Sequence, residues 1–261
     1  MTYIIAVANE KGGVAKTTTT LSLGGAFAEM GKRVLLIDLD PQSNLSLSLG
    51  IEPEQKVSSI INLILDHSIV MDCIKKTKVE NLDLLPSNSD IRMAERLLPT
   101  KSDYHLLLRN LLIPVNNHYD YILMDCPPFL GAITLNALIA ANILIIPTQS
   151  EYYSVFALRN MMALIRQVRT LGNPDLRYRL LLTMFDKRTN LANQVAENAE
   201  KHFKDMIFNT RIPRTVRLSE APSHGKPILL YDPSSPGAES YLALAKEVLN
   251  GRRAKQNVVI V

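Results

Sequence analysis

The segment Lys11-Gly12-Gly13-Val14-Ala15-Lys16-Thr17-Thr18 follows the first apolar run and opens the first helical one. Glycines let successive backbone N–H groups turn inward toward an anion, and a helix N-terminus adds partial positive charge. These residue types make a phosphate cradle, in which Lys16 reaches the β- and γ-phosphates and the Thr17 hydroxyl ligates Mg²⁺. Thr18 is placed to donate to the α-phosphate. The strict G-x4-G-K-[S/T] pattern is not met, because its framing positions hold Glu10 and Ala15.

Two further apolar runs end in carboxylates. Val34-Leu-Leu-Ile-Asp38 continues into Leu39-Asp40-Pro41, and Tyr121-Ile-Leu-Met-Asp125 into Cys126-Pro127-Pro128. A period of two puts Asp38 and Asp40 on one side of the chain if extension continues. At the carboxyl end of a parallel strand, beside a phosphate loop, such groups hold hydrated Mg²⁺ or orient water. The alternative for Asp38 and Asp40 is a turn or cap role ahead of Pro41.

Positioning these groups requires βα units. Apolar runs at Tyr3–Ala8, Arg33–Asp38, Leu82–Pro86, Tyr121–Asp125, Ile143–Pro147, Tyr178–Met184 and Met206–Asn209 read as strands. They are nearly continuously apolar, as expected where helices cover both faces of a parallel sheet. Helical patterns fall between them at Lys16–Met30, Ser87–Leu98, Tyr104–Leu112, Ala132–Ala140, Ser154–Leu171, Asn190–Phe203 and Ala238–Leu249. The expected fold is α/β, a doubly wound and mostly parallel sheet with helices on both faces, forming a single domain over residues 1–250. Residues 251–261 read as a short basic tail carrying Arg252, Arg253 and Lys255.

Composition excludes several classes. With 47% hydrophobic and 21% charged residues the chain is neither disordered nor fibrous. Cys73 and Cys126 are isolated, so a disulfide framework or a structural zinc is not expected, and a reducing cytoplasm is. His67, His105, His118, His202 and His224 form no cluster in sequence. The N-terminus lacks a signal-peptide pattern. Phe129–Pro147 has the length of a membrane span, but Thr134, Asn136 and Asn142 interrupt it, which favours a helix running into a strand.

The K-G-G-x-x-K-[S/T] box resembles the deviant Walker A motif of the ParA/MinD family of dimerising P-loop ATPases. The likeness continues through Asp38–Gln42, Asp120–Pro128, Pro147–Glu151, Met184–Asn190 and Ile212–Pro227, about residues 2 to 250, and the last segment resembles the ParA (Soj-type) partition branch. The resemblance implies ATP and Mg²⁺ as cofactors and a nucleotide site of Lys11, Gly12, Gly13, Val14, Ala15, Lys16, Thr17 and Thr18. Lys11 is then the signature lysine that crosses a dimer interface, and Ala15 stands where the family box usually has glycine. Asp40 would position the attacking water, Asp38 would assist it and the metal, and Asp125 would hold Mg²⁺ through water. Met184 and the Ile212-Pro213-Arg214 loop would flank the adenine.

The net charge of +4 is small for this length, but it is unevenly distributed. Residues 1–130 carry −3 and residues 131–261 carry +7. The resemblance explains that division by an ATP-bound homodimer that coats double-stranded DNA non-specifically, with Arg188 and Arg217 on its phosphates. Arg217 can equally cap the turn that follows it. A ParB-like or McdB-like adaptor would stimulate hydrolysis, and the cargo would be a plasmid, a chromosome origin or, as in McdA relatives, a carboxysome-type assembly. The expected location is cytoplasmic and nucleoid-associated. The competing expectation is a MinD-like ATPase at a membrane surface, but the tail offers only Val258–Val261 as an apolar face, too little for a stable membrane anchor.

Overall fold

Short aliphatic runs build a seven-stranded sheet in the order β3-β4-β2-β5-β1-β6-β7. The computed structural model describes residues 2–53, 60–65, 69–149 and 154–256. The strands are β1 (Tyr3–Val7), β2 (Val34–Asp38), β3 (Lys75–Lys76), β4 (Leu82–Leu85), β5 (Tyr121–Asp125), β6 (Ile143–Gln149) and β7 (Arg177–Thr183). All pairings are parallel except that of β3 with β4. The connecting helices are α1 (Lys16–Glu29), α2 (Asn44–Leu47), α3 (Ile60–Leu65), α4 (Val70–Cys73), α5 (Ile91–Leu97) and α6 (Leu107–Leu111). They continue with α7 (Ala132–Ala140), α8 (Ser154–Leu171), α9 (Asn190–Phe203), α10 (Val216–Glu220), α11 (Ile228–Tyr231) and α12 (Pro236–Gln256).

Alternate strand residues feed two cores, one on each face of the sheet. Leu35 and Ile37 of β2 and Ile122 and Met124 of β5 join residues of α5, α7, α8 and α9. Val34, Leu36, Tyr121 and Leu123 face the other way, onto α1, α11 and α12. The sheet is therefore wound on both sides from β1, and the crevice at the carboxyl ends of β1, β2 and β5 is where such folds bind ligands.

The expected doubly wound sheet is what forms, with six of the expected strands present and Phe129–Pro147 divided into α7 and β6. Among the described residues no helix is long and apolar enough to cross a membrane. Met206–Asn209 is the exception among the strands: a 3₁₀ turn covers Lys204–Met206, and a single bridge joins Leu180 to Ile207. The Glu247 carboxylate takes the Asn209 and Thr210 N–H groups at 3.0 and 3.1 Å, so they do not enter a ladder on β7. Tyr104–Leu112 is broken into a 3₁₀ turn and α6, and Ser87–Leu98 is helical only from Ile91. The expected tail boundary at Gly251 is also displaced, because α12 runs on to Gln256 and Arg252 lies 5.2 Å over the rings of Tyr3 and Tyr121. Residues 150–151 and 257–261 lie outside the described residues.

Helix α1 is buried almost all round, and its glycines set how closely it packs. A Cβ on Gly25 would come within 2.5 Å of Pro227 Cβ, and one on Gly24 within 2.6 Å of Leu36 Cδ2. Gly25→Ala is therefore expected to destabilise the protein by about 1–3 kcal/mol through overpacking. Calorimetry should show this as a fall of about 2–4 °C in Tm for each kcal/mol; an unchanged Tm would mean that the Pro227 segment yields freely.

Candidate nucleotide site

The loop between β1 and α1 is held from three sides. Asn9 is buried; its Nδ2 donates to the Pro147 carbonyl at 2.8 Å and its Oδ1 accepts from Lys11 N at 3.0 Å. Gln149 Nε2 donates to Gly13 O at 3.0 Å, and Thr183 Oγ1 to Val14 O at 3.1 Å. Gly13 has φ +73°, and nothing lies within 4 Å of a Cβ built on it or on Gly12, so the loop presents open backbone to a ligand. Ala15 also sits in the left-handed region, at φ 69° and ψ 36°. For a residue with a Cβ that conformation costs about 1–2 kcal/mol. Lys16 is buried, its Nζ donates across the loop to Lys11 O at 3.0 Å, and desolvation draws its pKa below the usual lysine range.

The carboxylates gather beside this loop. Asp38 and Asp125 are paired in register on neighbouring strands, β2 and β5. Thr17 Oγ1 donates to Asp125 Oδ2 at 2.7 Å and Thr20 Oγ1 to Asp125 Oδ1 at 3.3 Å. Burial, reinforced by the charge of Asp38, pushes Asp125 up to about 8, and burial pushes Asp38 up to about 6. Asp38 Oδ2 accepts from Ser46 N at 2.9 Å and Ser46 Oγ at 2.7 Å, while its Oδ1 accepts from Asp40 N at 3.1 Å. Asp38 thus ties down the turn that carries Asp40. Asp40 is buried and caps Gln42 N at 2.9 Å. The turn role weighed against chemistry for these two aspartates is real for both.

This donor set suits Mg²⁺ with a phosphate. A hydroxyl and a carboxyl group meet at Thr17 and Asp125, where burial disfavours the ionised carboxylate and a cation would favour it. Among the described residues no group of three or more His, Cys, Asp or Glu could hold a metal by itself. Phosphate oxygens and water would complete the octahedron, which is how Mg²⁺ is ordinarily held.

A cleft of about 310 Å³ opens next to the loop, lined by Ala15, Thr18, Met184, Pro213, Leu218 and Tyr241 among others. Met184 and Pro213, distant in sequence, are thereby brought to one slot with the phosphate loop. The bridge between Phe185 and Pro213 joins the two segments. Met184 has φ 51°, and its sulfur lies 3.0 Å from Gln149 Nε2. Tyr241 OH shares a 3.1 Å hydrogen bond with Thr19 Oγ1, which fastens α12 to α1.

A family model described as an AAA domain, AAA_31, matches residues 2–178. Sporulation initiation inhibitor protein Soj of Bacillus subtilis is 50% identical, over 95% of this chain and 98% of its own length. Chromosome partitioning protein ParA of Caulobacter vibrioides is 42% identical, over 97% of this chain and 96% of its own. The chain belongs to the Soj/ParA family of partitioning ATPases. A solved Mycobacterium smegmatis protein described as cobyrinic acid a,c-diamide synthase, with bound ADP and magnesium, is 33% identical with a TM-score of 0.86. The alignment covers 98% of this chain and 97% of that one.

In this Soj/ParA chain the two arginines expected on DNA are engaged locally. Arg188 forms a fork with Asp186, Nε to Oδ1 at 2.8 Å and Nη2 to Oδ2 at 2.7 Å, although its side chain is 84% exposed. That arginine holds the Asp186 carboxyl down at about 2. Arg217 donates from Nη1 to Glu220 at 3.0 Å and pairs through Nε with Asp232 at 3.3 Å. Sequence reasoning missed several contributors: Thr20 and Ser46 on the carboxylates, Gln149 and Thr183 on the loop, Tyr241 in the cleft, and Glu95, which accepts the Ala132 and Ile133 N–H groups at the start of α7. Only the family segment containing Gln149 carried any signal.

The raised aspartates make stability pH-dependent. Each is still protonated in the folded protein where the unfolded chain is ionised, so stability is fully present below the unfolded value and is lost as pH rises through the folded one. The nucleotide-free protein should therefore lose stability from about pH 4 to about pH 8. Asp125→Asn removes the Asp125 share of that loss, which spans the whole interval, and leaves the Asp38 share below about pH 6. Its melting temperature should gain on that of the parent between about pH 4 and pH 8; a gap independent of pH would exclude titration of Asp125.

Proposed function

We propose that the chain binds ATP with Mg²⁺, closes into a homodimer, coats double-stranded DNA without sequence preference, and leaves it when an adaptor stimulates hydrolysis. The observation that carries this reading is the meeting of Thr17 and Asp125 beside a loop that bears Lys11 and Lys16. Backbone N–H groups of Gly12 to Thr18 and Lys16 Nζ bind the phosphates, with Thr18 on the α-phosphate. Met184 and Pro213 cover the base. Thr17, and Asp125 through water, would hold Mg²⁺, which would supply charge neutralisation to the phosphates.

Asp40 orients a water against the γ-phosphorus, with Asp38 holding the turn beneath it. As the new P–O bond forms, the bond to the bridging oxygen breaks, giving ADP, phosphate and a proton. In this reading Lys11 of a second copy of the chain approaches the same oxygens, so turnover is expected to be slow in the monomer and faster once dimers are locked. The adaptor is ParB-like, or McdB-like if the cargo is a protein assembly. The favoured cargo is a chromosome or plasmid, on the likeness to the Caulobacter vibrioides relative named for chromosome partitioning. Activity then belongs at the nucleoid, in the cytoplasm.

Arg188 and Arg217 stand on adjoining segments, and a dimer doubles whatever surface they form. DNA phosphates would replace Asp186 on Arg188, and Glu220 and Asp232 on Arg217. Arg188→Glu and Arg217→Glu should abolish ATP-dependent DNA retention and leave the dimer intact in sedimentation, whereas Asp186→Asn should tighten binding. Undiminished gel shifts at low salt with both glutamates would move DNA to another face. Lys16→Ala should lose ATP binding. Asp40→Ala should hydrolyse ATP about 100-fold more slowly or worse and accumulate as a DNA-bound dimer; turnover at the parental rate would assign the water to another group.

A further inference from the structure

A second cavity, of about 450 Å³, lies at the far end of the sheet and is lined by Tyr3, Arg169, Arg177, Arg179, Phe208 and Glu247 among others. Tyr3 and Arg177 begin β1 and β7, whereas the phosphate loop follows the end of β1. Five residues of strand separate the two levels, roughly 15 Å at about 3.3 Å per residue. The volume falls within the range of about 300–1,000 Å³ in which small-molecule sites occur.

The charge of this cavity is unbalanced. Three guanidinium groups face a single carboxylate, and Glu247 already accepts from Arg179, Asn209 N, Thr210 N and Thr210 Oγ1. The arginines are nevertheless well anchored. Arg177 Nη2 donates to Tyr3 OH at 2.6 Å, Arg169 donates through Nε and Nη2 to Leu176 O at 3.2 and 2.8 Å, and Arg179 Nη2 donates to Ile207 O at 2.8 Å. The Arg179 guanidinium also lies 4.3 Å over the Phe208 ring.

These contacts occupy one edge of each fork and leave the others. Among the described residues Arg177 Nε and Nη1, Arg169 Nη1 and Arg179 Nη1 have no protein acceptor, and Arg179 Nε is buried without one. Preorganised guanidinium forks with unspent donors match phosphate oxygens. The faces of Phe208 and Tyr3 are already covered by guanidinium groups, and the half-buried ring of Tyr178 is the aromatic wall left for a ligand.

We propose that this cavity is a second ligand site, separate from the ATP site, that binds a nucleotide-sized phosphorylated molecule with a flat ring. The arginines take the phosphate and the aromatic wall takes the ring.

The test uses the full chain carrying Lys16→Ala, which silences the phosphate loop, with guanosine 5′-monophosphate and inorganic pyrophosphate as probes in calorimetry and thermal shift. Guanosine monophosphate should bind and raise Tm, pyrophosphate should bind more weakly, and adding Arg177→Gln should weaken both by about tenfold or more. Arg177→Gln alone should keep the parental Tm and basal ATPase; if it does not fold, Arg169→Gln, reaching the same cavity from α8, takes its place. Absence of binding by either probe at millimolar concentration, or binding indifferent to these substitutions, overturns the site. Equal affinity for the two probes overturns recognition of the ring. A short DNA duplex whose binding depends on Arg177 while guanosine monophosphate fails to bind would give this face to nucleic acid and overturn the proposal.

Discussion

Asp38 and Asp125 end neighbouring parallel strands in register, wholly out of water, and much of the structure follows from placing two carboxyl groups there. Charges of like sign in a dry crevice raise each other's pKa, and each needs donors or a cation. The surrounding residues meet that need in part. Thr17 and Thr20 turn hydroxyls toward Asp125, while Ser46 and the Asp40 N–H close on Asp38. Lys16, at the start of α1 after the loop that follows β1, contributes charge to the same point. The strand order, with β5 between β2 and β1, is what brings a lysine loop and an aspartate turn to the same end of the sheet.

How much of this is visible in a sequence depends on the span of the contact. Lys16 and Thr17 sit in one short loop opening a helix, so their joint role is legible from spacing. Asp125 is legible because an apolar strand ending in aspartate is conspicuous. Tyr241 reaches Thr19 across 222 positions and nothing local marks it as part of the site, whereas Gln149 reaches Gly13 across 136 and only the resemblance of its segment points to it. Ser46 looks like one more small polar residue in a leucine-serine stretch. The fold was readable for the same reason as the loop, since continuous apolar strands alternating with amphipathic helices admit few architectures. Met206–Asn209 misled because its backbone donors turn to a side chain on α12.

Charge shows the opposite behaviour. The basic second half of the chain is plain in the sequence, yet several of the arginines within it are individually committed. Arg188 is forked on Asp186, Arg211 is paired with Glu200 and stacked 4.8 Å over Phe185, and Arg217 bridges two acids. Exposed pairs of this kind are worth little to stability, commonly about 0–1 kcal/mol. Their cheapness is what makes them exchangeable: a stronger anion can replace the carboxylate at small loss. A surface built this way has low affinity for weak anions and still keeps its side chains in place.

Helix α12 carries Tyr241 at the base cleft and Glu247 at the arginine cavity, six residues apart along one rigid rod, about 9 Å at 1.5 Å per residue. Any displacement of that rod registers at both ends at once. Thermodynamic linkage then requires symmetry: whatever factor occupancy of one cavity applies to affinity at the other, the reverse effect has the same size and sign. The helix that packs against the phosphate-loop helix therefore also runs between the two cavities.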